Sequence, residues 1–214
     1  MHRNRIAVLI LALASLGIVG CQTTAQKVTA TSIELPPMGM PDHPAGTSWM
    51  YTNGSKTGSI TLLSKDAERL TVRSVTGCTY TRASDSMFAP SSAWKDCAWG
   101  SGTAKVAEKG GSLSPIQTGA RQSWTWNGSN SRGWTFDGAR DCEAVGAERV
   151  TLAAGAFDTF KIVCVDTWTG GGRRELTLYI APDLGAPVLF ILSSGYGGTS
   201  RWEYVSGPHK AESS

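Results

Sequence analysis

Between Thr47 and Val205 apolar residues alternate with polar ones over short runs, and nowhere do they recur at the three-to-four-residue interval of a helix. The runs fall at 47–52, 59–63, 70–75, 78–82, 123–127, 133–137, 148–152, 160–168, 175–180, 188–192 and 201–205. Turn formers punctuate them, among them Asn53-Gly54, Asn127-Gly128 and the stretch from Thr169 to Gly172. This spacing predicts an all-β domain: a single curved antiparallel sheet or half-barrel built from hairpins. One fragment echoes another, with Ser48 to Ser55 resembling Ser123 to Ser129, and each copy is expected to open a hairpin.

Four cysteines lie in this body: Cys78, Cys97, Cys142 and Cys164. An even count suggests two disulfides if the chain is exported. A hairpin turning at Ala153 to Gly155 brings Cys142 opposite Cys164 at bridging distance. The remaining pair is then Cys78 with Cys97, across the excursion that carries Met87 and Phe88.

The start of the chain supports export. Arg3 and Arg5 precede an apolar run from Ile6 to Gly20, which is too short to span a bilayer and has the anatomy of a secretory signal. The residues Ile18-Val19-Gly20-Cys21 resemble the lipobox of bacterial lipoprotein precursors. The resemblance implies cleavage after Gly20, lipid on Cys21 and a membrane partner for that lipid. Gln22 in place of Asp implies the outer membrane, facing the periplasm. The expected organisation is a signal peptide at 1–20, a lipidated N-terminus and flexible tether at 21–46, the β domain at 47–207 and a tail at 208–214. Without its signal the chain carries 18 basic against 17 acidic side chains, with no basic cluster to displace counterions. Nucleic acid is set aside as a partner.

The stretch from Val150 to Val163 (VTLAAGAFDTFKIV), followed by Tyr179-Ile180-Ala181-Pro182-Asp183-Leu184-Gly185, resembles a largely uncharacterised family of exported bacterial β-proteins. The resemblance implies a curved antiparallel sheet similar in shape to the periplasmic lipoprotein carriers and their receptor, whose concave face accepts acyl chains. It brings no catalytic residues. In the same stretch Phe160, Ile162 and Cys164 share one strand face, while Lys161, Val163 and Val165 share the other.

Eight tryptophans are many for this length. Several occur two residues from another aromatic side chain, which places each pair on one strand face. Packing and cross-strand pairing explain this economically. The functional reading is a platform for a ligand, with Trp49, Tyr51, Trp124, Trp126, Trp134 and Trp202 as its candidate residues.

Signals for catalysis are thin. Lys56-Thr57-Gly58 and Ser92-Ala93-Trp94-Lys95 match two penicillin-binding signatures, but in the wrong order. His2, His43 and His209 all fall outside the predicted domain, and Asp137, Asp141, Glu143, Asp166 and Glu175 form no acid-base pattern. No metal-ligand spacing and no cofactor motif is present, so neither a metal nor a cofactor is expected. The expectation is a non-catalytic binder of an acyl chain or a glycan. The alternatives are an accessory subunit of an envelope protein complex and an enzyme that uses a β-sheet cavity.

Overall fold

A computed structural model describes residues 29–195 and 197–210. Among these residues there are thirteen β-strands and no helix. In order they are β1 (Thr29–Ile33), β2 (Ser48–Thr52), β3 (Thr57–Lys65), β4 (Arg69–Arg73), β5 (Thr79–Ala83), β6 (Ala93–Lys95) and β7 (Gly102–Ser112). There follow β8 (Arg121–Asn130), β9 (Thr135–Leu152), β10 (Gly155–Trp168), β11 (Gly172–Ala181), β12 (Ala186–Ser194) and β13 (Thr199–His209).

From β2 to β13 each strand pairs antiparallel with the next, and β13 returns to β2 with Tyr204 opposite Tyr51. The sheet therefore closes into a twelve-stranded up-and-down barrel, not the open curved sheet or half-barrel that local spacing suggests. Closure joins segments at opposite ends of the domain and leaves no local trace, yet it removes both exposed sheet edges. The connections alternate between two ends. Loops 53–56, 74–78, 96–101, 131–134, 169–171 and 195–198 lie at one, and 66–68, 84–92, 113–120, 153–154 and 182–185 at the other. Trp99 and Trp134 mark the first, the indole end. The second is the strap end, after the long connection 84–92.

The segment expected to be a tether is built onto the barrel from Thr29 onward. β1 pairs with β9 from Thr29 opposite Thr151 to Ile33 opposite Ala147, along the half of β9 that β8 leaves uncovered. Met38 and Ile116 exchange two backbone hydrogen bonds, of 3.0 and 2.7 Å. Leu35, Met38 and Met40 pack on an apolar cluster. Backbone pairing on an open ladder holds β1, whose side chains are mostly exposed, so no alternation announces it. The signal at 1–20, Cys21 and residues 211–214 lie outside the described residues.

Turn and register behave as the sequence suggests along β9 and β10. Leu152 faces Gly155 across a two-residue turn, and a bulge beside Ile162 keeps Cys142 opposite Cys164. Both disulfides have the expected connectivity, Cys142–Cys164 and Cys78–Cys97. The echo holds only in part: each copy opens a hairpin, but the two turn at different places. Asn53-Gly54 does turn, with the Asn53 Oδ1 accepting from the backbone amides of Ser55 and Lys56. Asn127-Gly128 instead lies inside β8, where Gly128 lets the backbone of Ala104 approach closely.

Register sorts the wall of β8 to β11 into rows of facing side chains. Trp126, Gly138, Trp168 and Gly172 form one, and Trp124, Arg140, Asp166 and Arg174 the next. Gln122, Cys142, Cys164 and Leu176 form a third. These rows face inward: Trp124, Arg140 and Asp166 are buried, whereas their neighbours Arg121 and Asp141 on the other face are exposed. Outward positions pair as ions, as in Arg121–Glu143 and Arg173–Glu175. Outward ion pairs on this wall are unlike the apolar outer face of a barrel whose strands span a bilayer.

Two apolar clusters pack the domain. One gathers Phe88, Leu113, Ile116, Phe160, Ile162 and Ile180, and the other Trp49, Tyr51, Val150, Val188, Leu189 and Trp202. The tip of the β9–β10 hairpin lies between them, with Phe160 in the first and Val150 and Leu152 in the second.

Candidate functional site

The strap, residues 84–92, tucks Phe88 and Ala89 into the first cluster. Arginines from three strands hold it or its support. Arg82, at the end of β5, donates from Nη1 to the Met87 carbonyl at 2.6 Å. Arg140 on β9 donates from Nη1 to the carbonyls of Phe88 at 2.9 Å and Ala89 at 3.4 Å. The same guanidinium grips Asp166 with two bonds, Nε to Oδ1 at 2.6 Å and Nη2 to Oδ2 at 2.9 Å. Arg174 on β11 adds two more to Oδ2, from Nε at 2.9 Å and from Nη2. Burial disfavours the charged form of Asp166, but the two guanidiniums outweigh it and hold the carboxyl below its ordinary range. Burial, then the charge of Arg140, lowers Arg82 to about 10, so it stays cationic at neutral pH.

A cleft of about 360 Å³ opens between the strap and the inner wall. Arg82, Ser86, Val106, Glu108, Gln122 and Trp124 line it, with Glu68, Arg69 and Asp85 around its mouth. Gln122 Oε1 already accepts from the Leu113 amide at 3.3 Å. The Arg82 Nε and Ser86 Oγ are buried and meet no acceptor or donor among the described residues. A larger depression of about 560 Å³ lies over Lys105, Asn127 and Asp137, but its polar side chains face solvent and the site is shallow. Among the described residues no group of three or more His, Cys, Asp or Glu is placed to hold a metal ion.

The six aromatic residues proposed from sequence do not assemble into one platform. Trp49, Tyr51 and Trp202 belong to the second cluster. There the Tyr51 hydroxyl donates to the Pro187 carbonyl at 2.8 Å, and Trp202 stacks on Phe190 at 6.3 Å. Trp126 sits edge-on to Phe136 near the indole end, and Trp134 is 60% exposed in the turn there. Only Trp124 reaches the cleft. Of the charged residues here, Asp166 reads from sequence only as a solvated carboxylate, and Arg82, Arg140 and Arg174 are not among the residues singled out from sequence. Their signal was present: the face shared by Phe160, Ile162 and Cys164 continues at period two to Asp166. A carboxylate on the apolar face of a strand demands a buried partner.

Trp94 faces Gly102, Trp126 faces Gly138 and Trp168 faces Gly172 across the ladder. A methyl built on Gly138 comes within 2.5 Å of Trp126 Cη2, and one on Gly102 within 2.8 Å of Trp94 Cε2. Each indole thus lies over a glycine that has nothing of its own to bury, the packing known as aromatic rescue.

No protein-family model matches this chain, and no curated protein matches it. Among solved structures it is similar to the hypothetical lipoprotein YmcC from Escherichia coli K12, at 10% sequence identity and a TM-score of 0.49. The likeness covers 77% of this chain and 85% of that one.

Proposed function

We propose that this protein binds a polar ligand of the bacterial envelope without transforming it, and is held to the outer membrane, on its periplasmic side, by lipid on Cys21. The observation that carries the reading is the cleft under the strap. Its flat indole, amide, hydroxyl, guanidinium and carboxylate groups suit a saccharide better than an acyl chain. The large apolar side chains are spent in two packed clusters, which favours the glycan of the two ligand classes. Two disulfides suit an oxidising compartment. Asp166 is the one buried carboxylate among the described residues, and as a stabilised anion tied to two arginines it is a poor general base. His43 is engaged with the Gly185 carbonyl at 3.1 Å and His209 with Ser206 at 3.0 Å, both away from the cleft.

The test is tryptophan emission of the mature protein in detergent, titrated with peptidoglycan fragments and with a fatty acid. A saturable change with the fragments alone is expected, and a response to the fatty acid alone would reverse the assignment. Replacing Cys21 by Ala is expected to release the protein from the membrane fraction.

A second reading, an accessory subunit docked to an envelope complex, draws on the indole end. Trp99 and Trp134 are exposed there on loops joined by the Arg132 bond to the Ala98 carbonyl. Loss of co-purifying partners on replacing both indoles by Ala, with no change in ligand titration, would favour it.

A further inference from the structure

Resting on the cleft assigned above, the geometry points to a ligand that enters through an oxyanion, a carboxylate or phosphate group, seated on Arg82 Nε and Ser86 Oγ. Three features of the cleft carry this. First, these two polar atoms are buried with no partner among the described residues, and Ser86 is only 4% exposed. Buried donors in folded proteins are satisfied, and an unpaired donor on a residue that lines a cleft is a place for an acceptor that comes from outside. Arg82 already spends its Nη1 on the strap, so the strap bond survives while Nε receives the ligand.

Second, the charge below the cleft does not cancel. Arg82, Arg140 and Arg174 converge around a single carboxylate, Asp166, and Arg82 lies close enough to Arg140 to be repelled by it. An anion beside Arg82 relieves that repulsion. Third, the acids that line the cleft do not forbid it. Glu68, Asp85 and Glu108 are exposed, so water screens them, whereas the guanidinium at the base sits where charges are felt strongly. The acids instead suit hydroxyl or ammonium donors on the outer part of the same ligand. Beside the seat, Trp124 offers an indole wall. A volume of about 360 Å³ fits a small molecule or the end of a longer one.

The experiment titrates tryptophan emission of the mature protein in detergent with three probes: N-acetylmuramic acid for the carboxylate, glycerol 3-phosphate for the phosphate, and diacetylchitobiose as an uncharged sugar. One of the two anionic probes is expected to saturate, with affinity falling at least tenfold in Arg82→Gln and several-fold in Ser86→Ala. Ser86→Ala leaves the strap bonds in place, so it answers the question even where Arg82→Gln fails to fold. Binding of the uncharged sugar as tightly as either anion, indifferent to both substitutions, would overturn the oxyanion and leave the saccharide reading standing. Silence with all three probes, together with saturable binding of peptidoglycan fragments that ignores both substitutions, would also overturn it. Silence with the fragments as well sinks both readings.

Discussion

The indole row and the charged row are neighbours on one inner wall, two residues apart along each strand, and they cohere by opposite physics. In the indole row Trp126 and Trp168 spread over Gly138 and Gly172, so cohesion comes from apolar area and close fit. In the charged row Arg140, Asp166 and Arg174 are buried, or partly so, and cohesion depends on each charge keeping its partner. The first kind of row fails in proportion to the atoms disturbed. A row of the second kind fails as a unit, because losing one member strands the others in a place that cannot hydrate them.

The sharpest break of this contrast is Asp166→Asn, which leaves two guanidiniums facing each other without a counter-charge. It is expected to lower unfolding free energy by about 3–5 kcal/mol, read from the urea midpoint. Gly138→Ala should cost less, about 1–3 kcal/mol, because the added methyl meets the Trp126 ring and the indole must shift. Recovery of stability in Gly138→Ala with Trp126→Leu would show that the ring is what the methyl strikes.

Acid offers a gentler probe. The Asp166 carboxyl titrates lower when folded than unfolded, so its stabilisation is complete above about pH 4 and is lost as pH falls through the lowered folded value. Melting of Asp166→Asn should therefore depend less on pH below 4 than melting of the unsubstituted protein. If the two acid limbs run parallel, the arginines are not what stabilises this carboxylate. The smallest effect belongs to Arg149 and Asp158, which make a two-bond pair of 2.6 and 2.8 Å on an exposed surface. Replacing Asp158 by Asn should leave the urea midpoint unmoved, which separates good geometry in water from the same geometry in the wall.

The same contrast explains what could be read in advance. Strands with branched or aromatic alternation, such as β2, β10 and β12, stand out in the sequence. The middle of β9 does not, because Gly138, Ala139, Ala144, Gly146 and Ala147 carry little strand preference and are held by the partners on either side. β6 and β7 are hidden for similar reasons, the first by its three-residue length and the second by Gly110 and Gly111. The Cys142–Cys164 bridge was legible because one turn fixes it. The cleft was not, since Arg82, Ser86 and Trp124 lie far apart along the chain and meet only once the strap and wall are in place. Tryptophan count pointed to aromatic surfaces, yet most of those rings serve packing.

The clasp of β1 on β9 has a geometric consequence for how the molecule stands. Seven residues separate Cys21 from Thr29, so with lipid on Cys21 β1 begins no more than about 26–29 Å from the bilayer. Thr29 pairs beside the 153–154 turn, so the mooring point is at the strap end. Were Cys21 lipidated, a barrel moored this way would keep its strap end within that reach of the headgroup plane, with Trp99 and Trp134 at the opposite pole. Any ligand of the cleft would then be met by lateral search within a thin layer above the lipid, with the opposite pole free to meet whatever passes.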